Sequence, residues 1–160
     1  MAEEQFYRPA SSQEACDLLA RFGDKARVLS GGTDLMVAIN QRELTPEALI
    51  FIGNSGLNYI KEEGDKLIIG AATPYTEIRR SDLVQQKTPL LGEVVSHIGS
   101  PAIRNVGTIG GNFGTASPAA CSAVGLLGLG ASIKIVSKDG ERTVAVEDFF
   151  KGPGETVLDS

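Results

Sequence analysis

The strongest constraint on the fold is a glycine-rich stretch, IRNVGTIGGNFGTASP, at residues 103–118. Four of its glycines fall within eight residues: Gly107, Gly110, Gly111 and Gly114. Glycine in a helix or strand interior costs roughly 0.5–1 kcal/mol relative to alanine, so such a cluster indicates a backbone that must turn tightly or approach another group closely. A second glycine pair lies in SGGTD at residues 30–34, and GPG occupies residues 152–154.

The two glycine pairs favour an anion-binding site. Each lies at a predicted joint that leads into a helix, where consecutive backbone N–H groups can converge on one anion. The positive end of the helix dipole adds to this preference, and phosphate is the usual ligand. Further hydrogen bonds are available from Thr33, Thr108, Asn112 and Ser117. One isolated pair would indicate a tight corner, whereas two pairs beside threonines favour a ligand with two adjacent phosphates.

Residues 1–55 predict a small βαβ unit preceded by a helix. The sequence SSQE at residues 11–14 is a capping box that begins the leading helix, and Gly23 ends it. The periodicity then predicts a strand over residues 26–30, a helix over residues 35–40 and a buried strand over residues 48–52. We therefore expect these residues to form an N-terminal lobe.

Residues 56–160 predict a second lobe, built largely on antiparallel strands. Its hairpin turns are predicted at Gly64-Asp65 and Asp139-Gly140. Helix starts are predicted where a capping residue precedes proline, at Thr73-Pro74, Thr88-Pro89 and Ser117-Pro118. The second of these helices is expected to bury Leu90, Leu91, Val94, Val95 and Ile98 on one face. The predicted fold class is α+β with two lobes.

Charge and hydropathy exclude several classes of partner. The formal net charge is −5 and no run of Lys or Arg is present, so no nucleic-acid partner is expected. No apolar run approaches the ~20 residues that span a bilayer, and the N-terminal residues do not resemble a signal peptide. We therefore expect a cytoplasmic protein without a membrane-bound segment.

Few residues could carry metal or acid–base chemistry. Cys16 and Cys121 are too few for an iron–sulfur cluster, which needs about four thiolates. The single histidine, His97, lies among apolar residues without a predicted partner, so a structural role is favoured over catalysis. Neither GxxxxGK[ST] nor GxGxxG is present, which excludes a P-loop and a Rossmann site. No catalytic residue and no metal site are predicted.

Four segments carry a resemblance to a known family: VLSGGTDL (residues 28–35), PAIRNVGTIGGNFGTASPAA (101–120), LLGLGASIKIVS (126–137) and FFKGPGETVL (149–158). In order and spacing, over nearly the whole chain, they resemble the FAD-binding (medium) subunit of the molybdenum hydroxylases, the xanthine dehydrogenase and carbon monoxide dehydrogenase family. The run IRNxxTIGGN is far more specific to this family than a lone glycine pair.

The resemblance implies a two-lobed FAD-binding domain of the vanillyl-alcohol-oxidase (PCMH) type, with FAD between the lobes and its pyrophosphate held by both glycine stretches. Ile98 falls where the family places an apolar residue against the flavin. Matched motif by motif, the implied cofactor-binding residues are Val28, Leu29, Ser30, Gly31, Gly32, Thr33, Asp34, Leu35, Ile98, Thr108, Ile109, Gly110, Gly111, Asn112 and Ser117.

The resemblance also implies partner subunits. In such enzymes the substrate is hydroxylated at a molybdopterin centre on a large subunit, and electrons pass through two [2Fe–2S] clusters on a small subunit. The present chain would be the electron exit, an oxidoreductase component whose FAD passes electrons to an acceptor such as NAD. The protein would supply position and electrostatics, and the flavin the redox chemistry.

Three departures from the family pattern leave alternatives open. Cys121 stands where the family usually has an aspartate that binds the cofactor, and Glu155 stands where relatives often have lysine. Family members also continue into a C-terminal domain, which we expect to be absent from this chain, either a fragment or the product of a split gene. A non-catalytic remnant or assembly module with weak or no flavin binding is therefore an alternative, and a binder of another phosphorylated ligand is a third.

Overall fold

A computed structural model of the chain describes residues 5–117 and 121–159. Its first part contains a parallel sheet of three strands, β1 (Gln5–Tyr7), β2 (Ala26–Leu29) and β3 (Ala48–Phe51). The strand order is β1-β3-β2, so β3 is central, and Ala48 and Ile50 are fully buried there. The predicted βαβ unit is confirmed, with α2 (Leu35–Asn40) as its helix. Strand β1 was not predicted, because three largely exposed residues give no periodicity.

The leading helix, α1 (Ser12–Phe22), begins at the predicted cap. The Ser11 hydroxyl accepts a hydrogen bond from the Glu14 N–H at 3.2 Å, and the Glu14 carboxylate accepts one from the Ala10 N–H at 2.8 Å. The Glu14 side chain therefore binds the N–H of Ala10, the residue before the cap, and not that of Ser11 itself. Gly23 ends the helix with a φ of +53°, a conformation that glycine adopts at little cost.

The second part contains three antiparallel strand pairs and most of the helices. The first pair is the predicted hairpin, β4 (Ile60–Glu63) with β5 (Lys66–Ile69). Short helices follow: α3 (Tyr75–Arg80), α4 (Asp82–Lys87), α5 (Pro89–Ser96), α6 (Pro101–Val106), α7 (Ile109–Thr115) and α8 (Cys121–Gly128). The chain continues with the hairpin β6 (Ser132–Ser137) and β7 (Gly140–Ala145), helix α9 (Val146–Phe149), and the pair β8 (Phe150–Gly152) and β9 (Glu155–Thr156).

Two hydrophobic clusters pack these helices and strands together. A small one packs α1 on the parallel sheet through Ala15, Ala26, Ala48 and Ile50. A larger one is centred on Tyr75, Ile78, Leu91, Val95, Phe113 and Phe149. Within it the Phe113 and Phe149 rings meet edge to face with centroids 5.6 Å apart, a preferred aromatic geometry. Leu90 is 48% exposed, so the prediction that it faces the core is wrong.

The Thr-Pro predictions hold only in part. Pro89 is the first residue of α5, but the Thr88 hydroxyl donates to the Val84 carbonyl of the preceding helix instead of capping α5. Pro74 is itself the residue before α3, and the Thr73 hydroxyl binds the Tyr59 backbone, accepting from its N–H and donating to its carbonyl. The predicted start at Ser117-Pro118 falls partly outside the described residues, among which α8 begins at Cys121.

Candidate functional site

The two glycine-rich segments meet in space. We call residues 30–34 the first glycine motif and residues 108–112 the second. The Ser30 and Thr108 hydroxyl oxygens lie 2.8 Å apart, although 78 positions separate these residues in the sequence. A Cβ atom on Gly31 would lie 2.1 Å from the Val106 carbonyl oxygen and 2.8 Å from Gly107 Cα. Only glycine fits between these backbones, so the close approach of the first motif to the C-terminal end of α6 explains Gly31.

The first glycine motif has open backbone donors. Within residues 5–117 and 121–159, the N–H groups of Gly31, Gly32, Thr33 and Asp34 have no protein acceptor. Gly32 has a φ of +72°, and its carbonyl accepts the N–H of Met36 in the first turn of α2. The Asp34 side chain makes no capping bond to α2. Because phosphate oxygens only accept hydrogen bonds, this row of unpaired donors fits a pyrophosphate.

The second glycine motif has a different form from the nest expected there. Thr108 caps α7, and the motif is the first turn of that helix. All four following N–H groups already have protein acceptors: Ile109 donates to Thr73 O (3.2 Å), Gly110 to Ala71 O (2.8 Å), Gly111 to Thr108 Oγ1 (3.2 Å) and Asn112 to Thr108 O (3.1 Å). The amide-nest geometry is therefore present only in the first motif. The second motif packs against the first and offers the Thr108 and Asn112 side chains to the site.

The adjacent glycines of the second motif serve two contacts. A Cβ on Gly110 would lie 2.6 Å from both the carbonyl oxygen and the Cβ of Ala71, so Gly110 lets α7 rest against the chain that leaves β5. A Cβ on Gly111 would instead meet the Thr108 hydroxyl at 2.9 Å and lie 3.9 Å from Ser30 Cβ. Gly111 thus leaves room for the hydroxyl pair that joins the two motifs.

Asn112 is oriented by a buried polar chain. The Ser122 hydroxyl donates to Asn112 Oδ1, and the Tyr75 hydroxyl lies 3.5 Å from Ser122 Oγ. Ser122 is fully buried, and so is almost all of Tyr75. Ser122 was not predicted as a site residue, since its only signal in the sequence is a polar residue among apolar ones in a predicted helix. Its neighbour Cys121 begins α8. The expected departure there, a thiol in place of the family's cofactor-binding aspartate, concerns a side chain outside those that the structure describes.

The other predicted cofactor residues flank this junction or lie apart from it. Val28 and Leu29 end strand β2, Thr33 lies in the turn before α2, and Leu35 begins that helix. Ser117 lines a cavity of about 250 Å³ with Ala123, Val124, Phe150, Gly152 and Pro153. Ile98 is half-buried against the larger hydrophobic cluster, in the turn between α5 and α6.

Arg104 holds the turn that contains Ile98. Its Nη1 donates to the carbonyl oxygens of Ile98 and Gly99, each at 2.8 Å. Gly99 has a φ of +51°, and Ser100 caps the helix that follows. The guanidinium therefore ties the end of α5 to α6, the helix whose last carbonyl touches Gly31.

Replacing Arg104 by methionine, which keeps much of the stem and removes the donors, tests this role. We expect the free energy of unfolding to fall by about 1.5–3 kcal/mol, because two hydrogen bonds from a charged group are lost, one of them to the partly buried carbonyl of Ile98. Urea unfolding measures the change. Arg80→Met is the control, since that side chain is exposed, and should stay within about 0.5 kcal/mol of wild type. Equal unfolding midpoints for the two variants would contradict the assigned contacts.

Among the described residues outside the two motifs, His, Cys, Asp and Glu side chains do not gather in groups that could bind a metal ion. His97 is exposed and pairs with Glu93 one helical turn away, at 2.9 Å. The Cys16 thiol donates to the Val136 carbonyl, and burial, together with the Asp17 carboxylate, raises its pKa. Among the described residues no group of three or more His, Cys, Asp or Glu side chains could hold a metal ion. None of the described helices is long and apolar enough to cross a membrane.

Comparison with known proteins agrees with this geometry. The family model "FAD binding domain in molybdopterin dehydrogenase" matches residues 2–160. The chain is 39% identical to the glyceraldehyde dehydrogenase medium chain of Sulfolobus acidocaldarius, over 96% of this chain and 55% of that one. It is 35% identical to the carbon monoxide dehydrogenase medium chain of Afipia carboxidovorans, over 96% of this chain and 54% of that one.

Solved structures give the same result. The carbon monoxide dehydrogenase of Hydrogenophaga pseudoflava is similar with a TM-score of 0.95 and 34% identity, over 98% of this chain and 55% of that one. The chain thus spans about half the length of the relatives it matches. The predicted α+β fold of an FAD-binding domain is confirmed, and FAD is its cofactor. The chain belongs to the family of FAD-binding domains of molybdopterin dehydrogenases.

Proposed function

We propose that this chain is the FAD-binding part of an electron-transfer subunit in a molybdenum hydroxylase. Its FAD would receive electrons from [2Fe–2S] clusters on a small partner subunit and pass them to an acceptor such as NAD. The substrate would react at a molybdopterin centre on a large partner subunit. Support comes from the family match and from relatives named as medium chains or FAD-subunits of dehydrogenases.

The observation that carries the proposal is the row of open N–H donors from Gly31 to Asp34. Hydrogen bonds to an anion are stronger than those between neutral groups, so these donors would anchor the pyrophosphate. Strand β2 precedes this row and helix α2 follows it, and the contact of Gly31 with Val106 fixes its first residue. The chain would thereby hold the cofactor at a constant place relative to both hydrophobic clusters.

When bound, FAD supplies the redox chemistry, because it can take up electrons one at a time and release them as a pair. The part played by the protein is to bind and orient the cofactor. Ile98, fixed by Arg104, is proposed to contact the flavin ring, and Asn112, fixed by Ser122, to contribute a side-chain hydrogen bond. No described side chain is needed as a general acid or base.

The purified chain tests this proposal. We expect a yellow protein that releases FAD on acid precipitation, or a colourless one that becomes yellow when FAD is added. A colourless chain that cannot be reconstituted would contradict the proposal and favour a non-catalytic module with the same fold. Binding of ADP with no binding of FAD would favour another phosphorylated ligand.

The affinity for FAD should depend only weakly on ionic strength. Residues 28–35 and 106–112 contain no Lys or Arg, so the donors at both motifs are uncharged. Salt screens interactions between charges and has little effect on hydrogen bonds from amides. We expect the Kd for FAD to change less than about threefold between about 0.05 and 0.5 M NaCl. A tenfold or larger rise in Kd would instead indicate that a lysine or arginine binds the pyrophosphate.

A further inference from the structure

Helix α8 carries apolar side chains on the face that solvent reaches. Val124 is 73% exposed, and Leu127, one helical turn further on, is half exposed. A Cβ on Gly128 would lie 3.9 Å from Leu90 Cδ2, so the half-exposed side chain of Leu90 in α5 continues the same surface. We call Leu90, Val124 and Leu127 the α8 patch.

The other faces of α8 are apolar as well. Gly125 is buried against Val94 of α5, and Leu126 packs against the larger hydrophobic cluster. The sequence contains no charged residue between Arg104 and Lys134. A helix at a protein surface normally carries polar residues on its outer face, whereas a helix that is apolar all round is normally buried. We therefore expect the α8 patch to be covered in the functional protein.

The size and the charge of the α8 patch favour a covalently joined domain as its cover. A stable dimer buries about 800 Å² on each partner, whereas three partly exposed side chains offer only a few hundred Å². A helix that lies on a bilayer surface has Lys or Arg on its polar face, and α8 contains neither. A joined domain can rest on a smaller patch, because the covalent link raises its effective concentration.

The relatives have enough further chain to form such a domain. This chain spans 54–55% of the length of the relatives compared above, so nearly half of each relative lies outside the matched part. The resemblance described above implies that this further chain follows the matched part. Val124 lines the cavity of about 250 Å³ together with Phe150 and Pro153, and Phe150 pairs with Thr156. A domain that follows strand β9 would therefore begin close to the α8 patch.

We propose that the α8 patch is the docking surface for a second domain, of the kind that forms the rest of the relatives' chains. This domain covers Leu90, Val124 and Leu127 with apolar side chains of its own and is thereby fixed against α5 and α8. The inference goes beyond the proposed function, since docking on this patch does not depend on FAD.

A chimera tests the docking surface. The chain is joined after residue 160 to the part of the Sulfolobus acidocaldarius medium chain that lies outside the match. Limited trypsin digestion then measures the rate of cleavage between the two domains, which follows the population of the undocked form. Leu127→Glu should raise this rate at least about tenfold, because a carboxylate without a partner is costly to bury in an apolar interface.

The chain without the joined domain provides the reference. There Leu127 faces solvent, and Leu and Glu have similar helix propensities, so Leu127→Glu should unfold at the wild-type urea concentration. Val37→Glu is the matched control, since Val37 is also half exposed and lies in a helix, α2. In the chimera it should leave the cleavage rate within about twofold of wild type.

Several results would overturn the inference. Equal cleavage rates for the Leu127→Glu and Val37→Glu chimeras would show that the α8 patch does not hold the joined domain. An unsubstituted chimera that is cleaved as fast as its Leu127→Glu variant would show the same. A dimer of the 160-residue chain in size-exclusion chromatography that Leu127→Glu converts to a monomer would identify a second copy as the cover. None of these experiments measures FAD, so their failure would leave the proposed function in place.

Discussion

The Gly31→Ala variant is expected to lose FAD binding and much of its stability. The new Cβ would lie 2.1 Å from the carbonyl oxygen and 2.7 Å from the carbonyl carbon of Val106. Both are backbone atoms, so no side-chain rotation can relieve the clash, and the first glycine motif must move away from the end of α6. We expect the free energy of unfolding to fall by about 2–3 kcal/mol. FAD should not bind at concentrations that saturate wild type, as followed by flavin fluorescence.

The matched control for this prediction is Gly114→Ala. Gly114 lies in α7, and a Cβ there would meet no atom within 4 Å. Alanine favours helix over glycine by up to about 1 kcal/mol, so this variant should be as stable as wild type or more stable, with unchanged FAD affinity. Wild-type FAD affinity in Gly31→Ala would show that the close contact with Val106 is not part of the site.

The Gly111→Val variant is expected to lose FAD binding while the fold survives. Its Cβ would lie 2.9 Å from Thr108 Oγ1, and the added methyl groups would enter the space beside Ser30. The obstructed atom belongs to a side chain, which can rotate away, so the clash displaces the hydroxyl pair and leaves the backbone in place. The lost cap of α7 costs about 1 kcal/mol, and the better helix propensity of valine offsets part of it.

Gly110→Val provides the contrast, because a Cβ on the adjacent glycine would meet the backbone of Ala71 at 2.6 Å. That variant should unfold at markedly lower urea concentration than Gly111→Val. Circular dichroism reports the fold and fluorescence titration the FAD affinity of each variant. Tight FAD binding by Gly111→Val would contradict the placement of the second motif at the cofactor. An unfolded Gly111→Val chain would contradict the claim that its effect is local.

Much of the fold could be predicted because the local signals agreed with the tertiary structure. Residues 35–40 were predicted as a helix and form α2, and the first hairpin turns at Gly64-Asp65 as predicted. The second hairpin is also present, but its turn is Lys138-Asp139, one residue before the predicted Asp139-Gly140. Short elements were missed because they have too few residues to show a hydrophobic periodicity. Helix α6 has only six residues, and its first residue is Pro101. Proline stops one helix and starts another equally well, so the sequence leaves both interpretations open.

At the candidate site, the sequence predicts the position of both glycine motifs but not which of their backbone N–H groups are free to bind a ligand. Those of the second motif are taken by the carbonyls of Ala71 and Thr73, which are distant in sequence. Only the tertiary structure brings these acceptors to α7. The same holds for Ser122, whose contact with Asn112 depends on how α7 and α8 pack.

The central claim is that the open N–H groups of residues 31–34 hold the pyrophosphate of FAD. Backbone amide resonances of the chain, followed by NMR during titration with FAD and separately with riboflavin, test it directly. The amides of Gly31, Gly32, Thr33 and Asp34 should shift strongly with FAD and little with riboflavin, because riboflavin lacks the phosphates that accept their hydrogen bonds. FAD binding that leaves these four amides unshifted would contradict the account.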